Sequence, residues 1–428
     1  MPPRPTSSSP PLADAEWLGW SGTVRIFDAL RARGDNARAV GGAVRDALLG
    51  RPVQDVDFAT DAAPEKVMKL ANEAGLKVVA TGLEHGTVTI VADHRGFEVT
   101  TLRKDVETFG RKAKVSFTDD WMADASRRDF TINAIYADAD GTLFDPLGAL
   151  CDIETRQVRF IGDARTRIKE DFLRILRFFR FNAELETREF NQHGLQACVL
   201  ERSGLNGLSA ERVVSEVMRL LRAGGAVNAI WKMFDHGLLV DVLRGVPNLV
   251  WLERFVAIEA ALRSDADALL RLGCLGVAVR EDAERLARIL RLSNADRDRL
   301  IEYAGQPGLA VASGDAELRQ AVYLYGKTGS RDAALKSWVT SGAPPSDRPW
   351  QELVSRFDQM PIPEFPLQGA DLVKLGVGEG PEIGKVLRRV EAQWLENGCV
   401  DAKDKLLKMA RAMIADVAAE TQRDDNIG

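Results

Sequence analysis

The stretch Val40-Gly41-Gly42-Ala43-Val44-Arg45-Asp46, followed by Leu48-Leu49-Gly50 and then Asp55-Val56-Asp57, decides how this chain is read. An apolar approach, Ala39-Val40, runs into two adjacent glycines, a short helical pattern comes next, and the chain turns at Gly50-Arg51-Pro52. Paired glycines let a backbone approach a bulky ligand and aim N–H groups at it. Asp55 and Asp57 stand at i and i+2, so on a strand their carboxylates share one face. Two carboxylates held together repel unless a cation joins them, and hard oxygen donors suit Mg²⁺. A phosphate cradle followed by such a strand is the layout that metal-assisted transfer from a nucleotide requires. Taken singly, an Asp-x-Asp strand is as a rule a solvated edge and a Gly-Gly pair a turn. Only residues further along the chain can give either one a function.

At 428 residues the chain is too long for one core, and roughly two to four domains are expected. No apolar run approaches the length that crosses a bilayer. Met1 to Ala13 is rich in Pro and Ser without an apolar block, so it reads as a disordered leader, not a signal peptide. Cys151, Cys198, Cys274 and Cys399 are far apart and show no metal-ligand spacing, which points to a reduced, cytoplasmic protein without structural zinc. A net charge of −6 excludes a surface coated in cation for non-specific nucleic-acid binding, though a local basic groove stays open.

Around the organising stretch, Trp17–Arg33 has helical apolar spacing, and Pro64 to Gly75 carries a second helical stripe through Val67, Leu70 and Ala71. From Lys77 the period changes to strands: Val78–Ala80, Thr87–Val91 and Phe97–Leu102. The expected result is a small, mostly antiparallel sheet with Asp55 and Asp57 at its centre and Glu98 on a neighbouring strand. Arg103–Ser126 breaks the pattern. Lys104, Arg111, Lys112 and Lys114 crowd around Gly110, and the segment reads as a long polar loop of the kind used as a functional lid. Arg127-Arg128-Asp129-Phe130-Thr131-Ile132-Asn133-Ala134 resumes order, and a hairpin about Asp140-Gly141 closes at Pro146. From Ile153 the chain is helical. Ile168–Phe181 reads as one amphipathic helix, with Asp171, Arg174, Arg177 and Arg180 along its polar ridge. Glu211, Arg212 and Glu216 lie on a helix from Ala210 to Arg222, and further helical patterns continue to a tail piece at Gly369–Gly384.

Together these motifs resemble the class II branch of the tRNA nucleotidyltransferase and poly(A) polymerase family, within the DNA polymerase β superfamily. The resemblance covers residues 23–240 strongly and touches the tail. It implies an α+β fold. A nucleotidyltransferase head with a small mixed or antiparallel sheet occupies 17–150 after a leader at 1–16. A helical neck follows at 151–225, then a body at 226–345 and a tail at 346–428. It implies that Asp55 and Asp57 bind two Mg²⁺ ions with Glu98 as a third carboxylate. One ion would activate an RNA 3′-OH and the other would hold the triphosphate as pyrophosphate leaves. Gly41, Gly42 and Arg45 would cradle phosphate, Arg128 and Asp129 would hold the nucleotide with Asp129 at the ribose 2′-OH, and Asp171 and Arg174, beside Arg177, would read the base. Cytosine and adenine both place an amino donor beside a ring-nitrogen acceptor, so a carboxylate and a guanidinium fit both. Uracil and guanine reverse both positions and meet like with like.

The implied activity is addition of CCA to tRNA 3′ ends from CTP and ATP, without a membrane or an obligate protein partner. A poly(A) polymerase is the nearest rival, but Thr81-Gly82-Leu83-Glu84-His85-Gly86-Thr87 follows the CCA-adding pattern and the chain lacks that branch's basic extension. An A-only adder of the same family and a catalytically inactive RNA-binding relative are compatible with the motifs too. The acceptor is expected to be held by shape and backbone along the body and tail, with Lys374, Lys385, Arg388 and Arg389 as candidate contacts.

Overall fold

The computed structural model describes residues 11–109, 112–378 and 380–424, and they fall into two compact units divided between Pro247 and Asn248. The first unit opens with a 3-10 turn, Glu16–Gly19, and then helix α1 (Ser21–Arg31), so the single helix expected over Trp17–Arg33 is interrupted at Trp20. Its sheet is built from β1 (Ala37–Val40), β2 (Asp57–Thr60), β3 (Lys77–Gly82), β4 (Thr87–Ala92) and β5 (Arg95–Thr101). A separate two-stranded ribbon, β6 (Arg103–Phe109) with β7 (Lys112–Phe117), comes next, followed by β8 (Tyr136–Ala137) and β9 (Leu143–Phe144). The main sheet has the order β3-β4-β5-β2-β1-β8-β9. Every pairing in it is antiparallel except β2 with β5, where Phe58 lies opposite Val99.

The strands follow from their sequences. β4 buries every second residue, Val88, Ile90 and Ala92, as a strand with one covered face must. In β2, Phe58 and Ala59 are fully buried while Asp57, at the strand's first position, is exposed. Asp55 stands just ahead of that strand. Phe27 meets Phe58 edge-to-face at 5.0 Å, and burying a ring such as Phe58 contributes about 2–3 kcal/mol. The expected Pro64 helix is α3 (Pro64–Glu73), with Pro64 in its first turn and Val67, Leu70 and Ala71 inward; α2 (Gly42–Leu48) precedes it.

Three further expectations from sequence are corrected by the fold. Residues 11–16 of the expected leader are not a loose segment: Leu12 is buried and its N–H donates to the Gly141 carbonyl at 3.2 Å; residues 1–10 lie outside the described residues. Arg103–Ser126 is not an open loop but the β6–β7 hairpin followed by α4 (Trp121–Ser126), whose first turn is capped by Asp120; Gly110 and Arg111 lie outside the described residues. The helix expected over Ile168–Phe181 is two, α6 (Ala164–Glu170) and α7 (Leu173–Glu184), after the short α5 (Leu150–Glu154). Asp171 is extended between them (φ −154°, ψ 106°) and its carboxylate accepts the Leu173 N–H at 3.1 Å. An aspartate favours capping a new helix over continuing an old one. Phe172 fixes the joint, because Gly204 leaves its ring the space any Cβ would take, 1.9 Å away.

The remaining helices of this unit are α8 (Gln192–Leu200), α9 (Ala210–Arg222), α10 (Ala226–Asp235) and α11 (Leu238–Leu243). An aromatic cluster joins the Arg-Arg-Asp-Phe stretch to α7: Phe130 lies 4.7 Å from Phe160 and 5.3 Å from Phe181 between ring centroids. That anchor sets Asp129 against Arg177 of α7.

The second unit is all-helical: α12 (Leu249–Leu262), α13 (Ala268–Gly276), α14 (Arg280–Leu290), α15 (Asn294–Gly305), α16 (Asp315–Ser341), α17 (Arg348–Gln359), α18 (Gly369–Val373), α19 (Pro381–Glu396) and α20 (Lys403–Asp424). α16 kinks at Gly326, whose φ of 68° and ψ of 177° suit glycine alone. Its first part joins the cluster around Trp394 through Tyr323, ring to ring at 5.0 Å. Its second part carries Asp332, held by Arg299 at 2.8 Å, and Trp338, stacked 6.2 Å from Trp350. Among the described residues no helix is long and apolar enough to cross a membrane.

Candidate active site

β1 delivers the chain to Gly41, which has φ +78° and ψ −128° and caps α2. A side chain there is strained, and the space where its Cβ would stand holds no atom within 4 Å. Gly41 and Gly42 thus form an open backbone wall of a cavity of about 690 Å³. Arg45, one turn into α2, is held bidentately by Asp46 (2.9 and 3.0 Å), and its remaining nitrogen Nη1 donates to Asn133 Oδ1 at 2.8 Å.

Asp55 and Asp57 enter the same cavity with the buried Val56 between them. Neither has a cation within ion-pair distance among the described residues. Glu98 is level with Asp57, because Phe58 and Val99 are register partners in the parallel pair. Asp57 keeps contact with solvent, but the protein around it removes part of its water, and this, together with the charges of Glu98 and Asp55, pushes its carboxyl up to about 6 against the opposing pull of Arg128. Among the described residues no three carboxylate, imidazole or thiol groups converge as a ready metal cage. An Asp55–Asp57 pair still fits Mg²⁺, which is ordinarily held by one or two carboxylates plus phosphate and water.

Arg128, Asp129, Arg177 and Arg180, which also line the cavity, are held by ion pairs behind it. Asp124, 1 % exposed, accepts from Arg127 (2.6 Å), Arg128 (3.0 Å) and the Tyr136 hydroxyl (2.8 Å). Its burial alone would raise its carboxyl, but Arg128 and Arg127 outweigh that and hold it below the usual range. Asp129 behaves alike: burial is overcome by Arg177, Asn133 and the Phe130 N–H, and the group is held low. Arg177 Nε donates to Asp129 Oδ2 at 2.7 Å, and its Nη1 lies 3.6 Å from Glu216. Glu216, buried, also accepts from Arg180 Nε at 2.5 Å, and Arg180 reaches on to Glu184 at 2.7 Å.

Of the residues expected from sequence, Gly41, Gly42, Arg45, Asp55, Asp57, Arg128, Asp129 and Arg177 line this one cavity, and Glu98 backs Asp57. Asp171 and Arg174 do not line it. They are not paired with each other: Arg212 donates to Asp171 Oδ2 at 2.6 Å, and Arg174 Nη1 donates to Glu170 Oε2 at 2.5 Å. Arg180 is no member of a solvated ridge; it is 3 % exposed, lies over the Phe181 ring at 3.9 Å and lines the cavity. Sequence reasoning missed Arg180, Glu184, Asn133 and Asp124 as parts of the site. A signal for Arg180 existed in its i, i+3 spacing from Arg177, but its buried acceptor, Glu216, lies on another helix.

Residues 37–159 match the family model described as the Poly A polymerase head domain. The chain is 34% identical over 373 residues to the Mus musculus protein named CCA tRNA nucleotidyltransferase 1, mitochondrial, covering 86% of this chain and 85% of that one. The CCA-adding enzyme of Geobacillus stearothermophilus is 33% identical over 376 residues, 85% of this chain and 89% of its own. The crystal structure of a Bacillus stearothermophilus CCA-adding enzyme in complex with CTP superposes with a TM-score of 0.72 at 29% identity, over 97% of this chain and 99% of that one. With these relatives spanning most of the chain, and with both aspartates, the glycine turn and Arg128-Asp129 gathered in one cavity, the chain belongs to the family of CCA-adding tRNA nucleotidyltransferases.

Proposed function

We propose that the protein adds CCA to tRNA 3′ ends from CTP and ATP, releasing pyrophosphate, with side chains in place of a nucleic-acid template. The observation that carries this is the cavity itself. Two uncompensated carboxylates, an open glycine wall and a row of fixed arginines face one volume of about 690 Å³, a size that suits a nucleotide. Asp55 and Asp57 would hold the Mg²⁺ ions with Glu98 in support. Bound there, the ions would supply charge stabilisation at the reacting phosphate.

The chain's own residues do the rest. The Gly41–Gly42 backbone and Arg45 receive the phosphates. Arg128, kept rigid by Asp124, faces the triphosphate side. Asp129, locked by Arg177, faces the ribose 2′-OH. Asp171 and Arg174, which lie outside the lining of this cavity, would read the base edge of a nucleotide that extends beyond it: each Asp171 oxygen accepts one hydrogen bond in the structure and keeps a second lone pair, and Arg174 commits only Nη1. The pair therefore still offers one acceptor and one donor to cytosine or adenine. The four cysteines are unpaired, which supports a reducing compartment such as the cytoplasm.

The test is incubation with tRNA transcripts ending at the discriminator base, at C or at CC, with each nucleoside triphosphate in turn. Cytidine should join the first two and a single adenosine the third, with UTP and GTP refused. Repeated adenosine addition would mark a poly(A) polymerase, addition to the CC end alone an A-only enzyme, and no addition an inactive RNA-binding relative.

A further inference from the structure

We infer that Asn133 is a positioning residue that sets the choice of ribonucleotide over deoxyribonucleotide by fixing Asp129; the sugar part of this rests on Asp129 facing the ribose, as proposed above. Asn133 ends the 3-10 turn Thr131–Asn133, directly after the Phe130 anchor, and is 8 % exposed. Its own N–H donates to the Phe130 carbonyl at 3.0 Å, so its backbone is fixed before the side chain is considered. The amide then makes two bonds of opposite sense. Oδ1 accepts from Arg45 Nη1 at 2.8 Å, and Nδ2 donates to Asp129 Oδ1 at 3.2 Å.

That orientation is dictated by its neighbours. A guanidinium can only donate, and an ionised carboxylate can only accept, so a group between them must do both. Aspartate at 133 would satisfy Arg45 and repel Asp129. Leucine would keep the shape and satisfy neither. At Asp129, Arg177 occupies Oδ2 while the Phe130 N–H and Asn133 share Oδ1. With bonds on both oxygens the plane of the carboxylate is set. Without Nδ2 only one bond, from its own neighbour's backbone, restrains Oδ1, and the carboxylate can rotate about the Arg177 contact. Through Arg45 the same amide ties the sugar side of the cavity to the glycine turn on its phosphate side, across 88 residues of sequence.

The test measures kcat/KM for CTP and dCTP on a tRNA transcript with wild type, Asn133→Ala, Asn133→Asp, Asp129→Ala and the Asn133→Ala/Asp129→Ala double variant. Thermal melts of each variant establish that it is folded. Asn133→Ala should lower the CTP-over-dCTP ratio about tenfold, the value of one hydrogen bond to a charged group. Asn133→Asp should lower it further, and the KM for tRNA should stay unchanged in both. The double variant should show the CTP-over-dCTP ratio of Asp129→Ala and no further loss of that ratio, because Asn133 acts on the sugar through Asp129; any added loss in kcat/KM common to CTP and dCTP belongs to its bond to Arg45. Independent losses that multiply in the CTP-over-dCTP ratio would overturn the assignment, as would an unchanged ratio in Asn133→Asp when Asp129→Ala has lost it. If Asp129→Ala itself keeps the ratio, the sugar role of Asp129 falls. Non-additivity for CTP alone then still supports Asn133 as its positioning partner.

Discussion

Two walls of one cavity handle their acids in opposite ways. On the β2 side, Asp55 and Asp57 have no arginine or lysine at ion-pair distance among the described residues, and Asp57 is pushed up to about 6 by lost water and by Glu98 and Asp55. On the α7 side, Asp129 and Glu216 accept from Arg177 and Arg180, and Asp129 is held low. A carboxylate without an ion-pair partner is free to meet a cation that arrives from outside. A carboxylate already matched to arginines holds the arginines in place. The contrast separates acids left open from acids held fixed around a single cavity, and it can be broken by experiment.

The sharpest break is at the uncompensated wall. Asp55→Ala or Asp57→Ala should cut nucleotide addition about 10³-fold or more, because loss of a metal ligand removes several kcal/mol of transition-state stabilisation. Near-normal turnover in either variant, measured with CTP on a tRNA transcript, would remove the metal assignment. The matched wall should answer differently. Glu216→Ala leaves the buried guanidinium of Arg180 short of an acceptor and takes a second carboxylate from the half-buried Arg177, and about 3 kcal/mol of stability should be lost, read from urea unfolding; a loss under about 1 kcal/mol would mean the arginines re-pair with Glu184 and solvent.

The β6–β7 hairpin tests whether a third region joins the comparison. It leads directly into α4 and Asp124, which holds Arg128. Replacing Lys104–Ser116 by a short turn should slow adenosine addition to a CC-ended tRNA about tenfold more than cytidine addition, as expected of a segment that adapts the site between steps. Equal losses in both steps would make the hairpin a general structural part.

The smallest effect concerns stability. Asp57 is raised in the folded chain to about 6 from an ordinary 3.8, so its charged form opposes folding. That opposition is complete above about pH 6 and fades as the pH falls toward 3.8. Asp57→Asn should therefore raise the melting temperature of metal-free protein at pH 7.5 by about 2–4 °C, allowing about 1 kcal/mol after solvent screening. The gain should vanish near pH 4, and Mg²⁺ should stabilise wild type more than the variant. A variant no more stable than wild type at pH 7.5 would show that Asp57 is not held under charge strain.

Much of the first unit could be read from residue pattern. The glycine turn, the Asp55-Val56-Asp57 run and the Arg128-Asp129 stretch each carry a local signal, and β4 alternates as a half-covered strand should. The failures have physical causes. β6 escaped notice because the register shifts between Asp105 and Glu107, and such a bulge destroys the period of two by which strands are recognised. The break at Asp171 was hidden because the apolar stripe continues in phase on both sides of it. Arg180 looked solvated because its acceptor, Glu216, is 36 residues away. Asn133 looked like the tail of a motif, since an amide's worth depends on what stands on either side of it.

Gly326 is a mechanical joint. α16 is a single rod bent at this one residue. Arg319 on its first segment donates to the Gly398 carbonyl at 2.6 Å, whereas Asp332 and Lys336 on its second segment belong to Arg299 and to the carbonyls of Tyr303 and Ala304. Any residue but glycine would be strained there by about 1–3 kcal/mol, and an added methyl would strike nothing within 4 Å. Gly326→Ala thus acts on the bend and on no contact, and straightening the rod would swing the Trp394 bundle to a new angle. Small-angle scattering would register the swing as a shift in the distance distribution, and an unchanged curve would show the bend is imposed by the bundles. The mounting angle of the C-terminal helices is written in one backbone torsion.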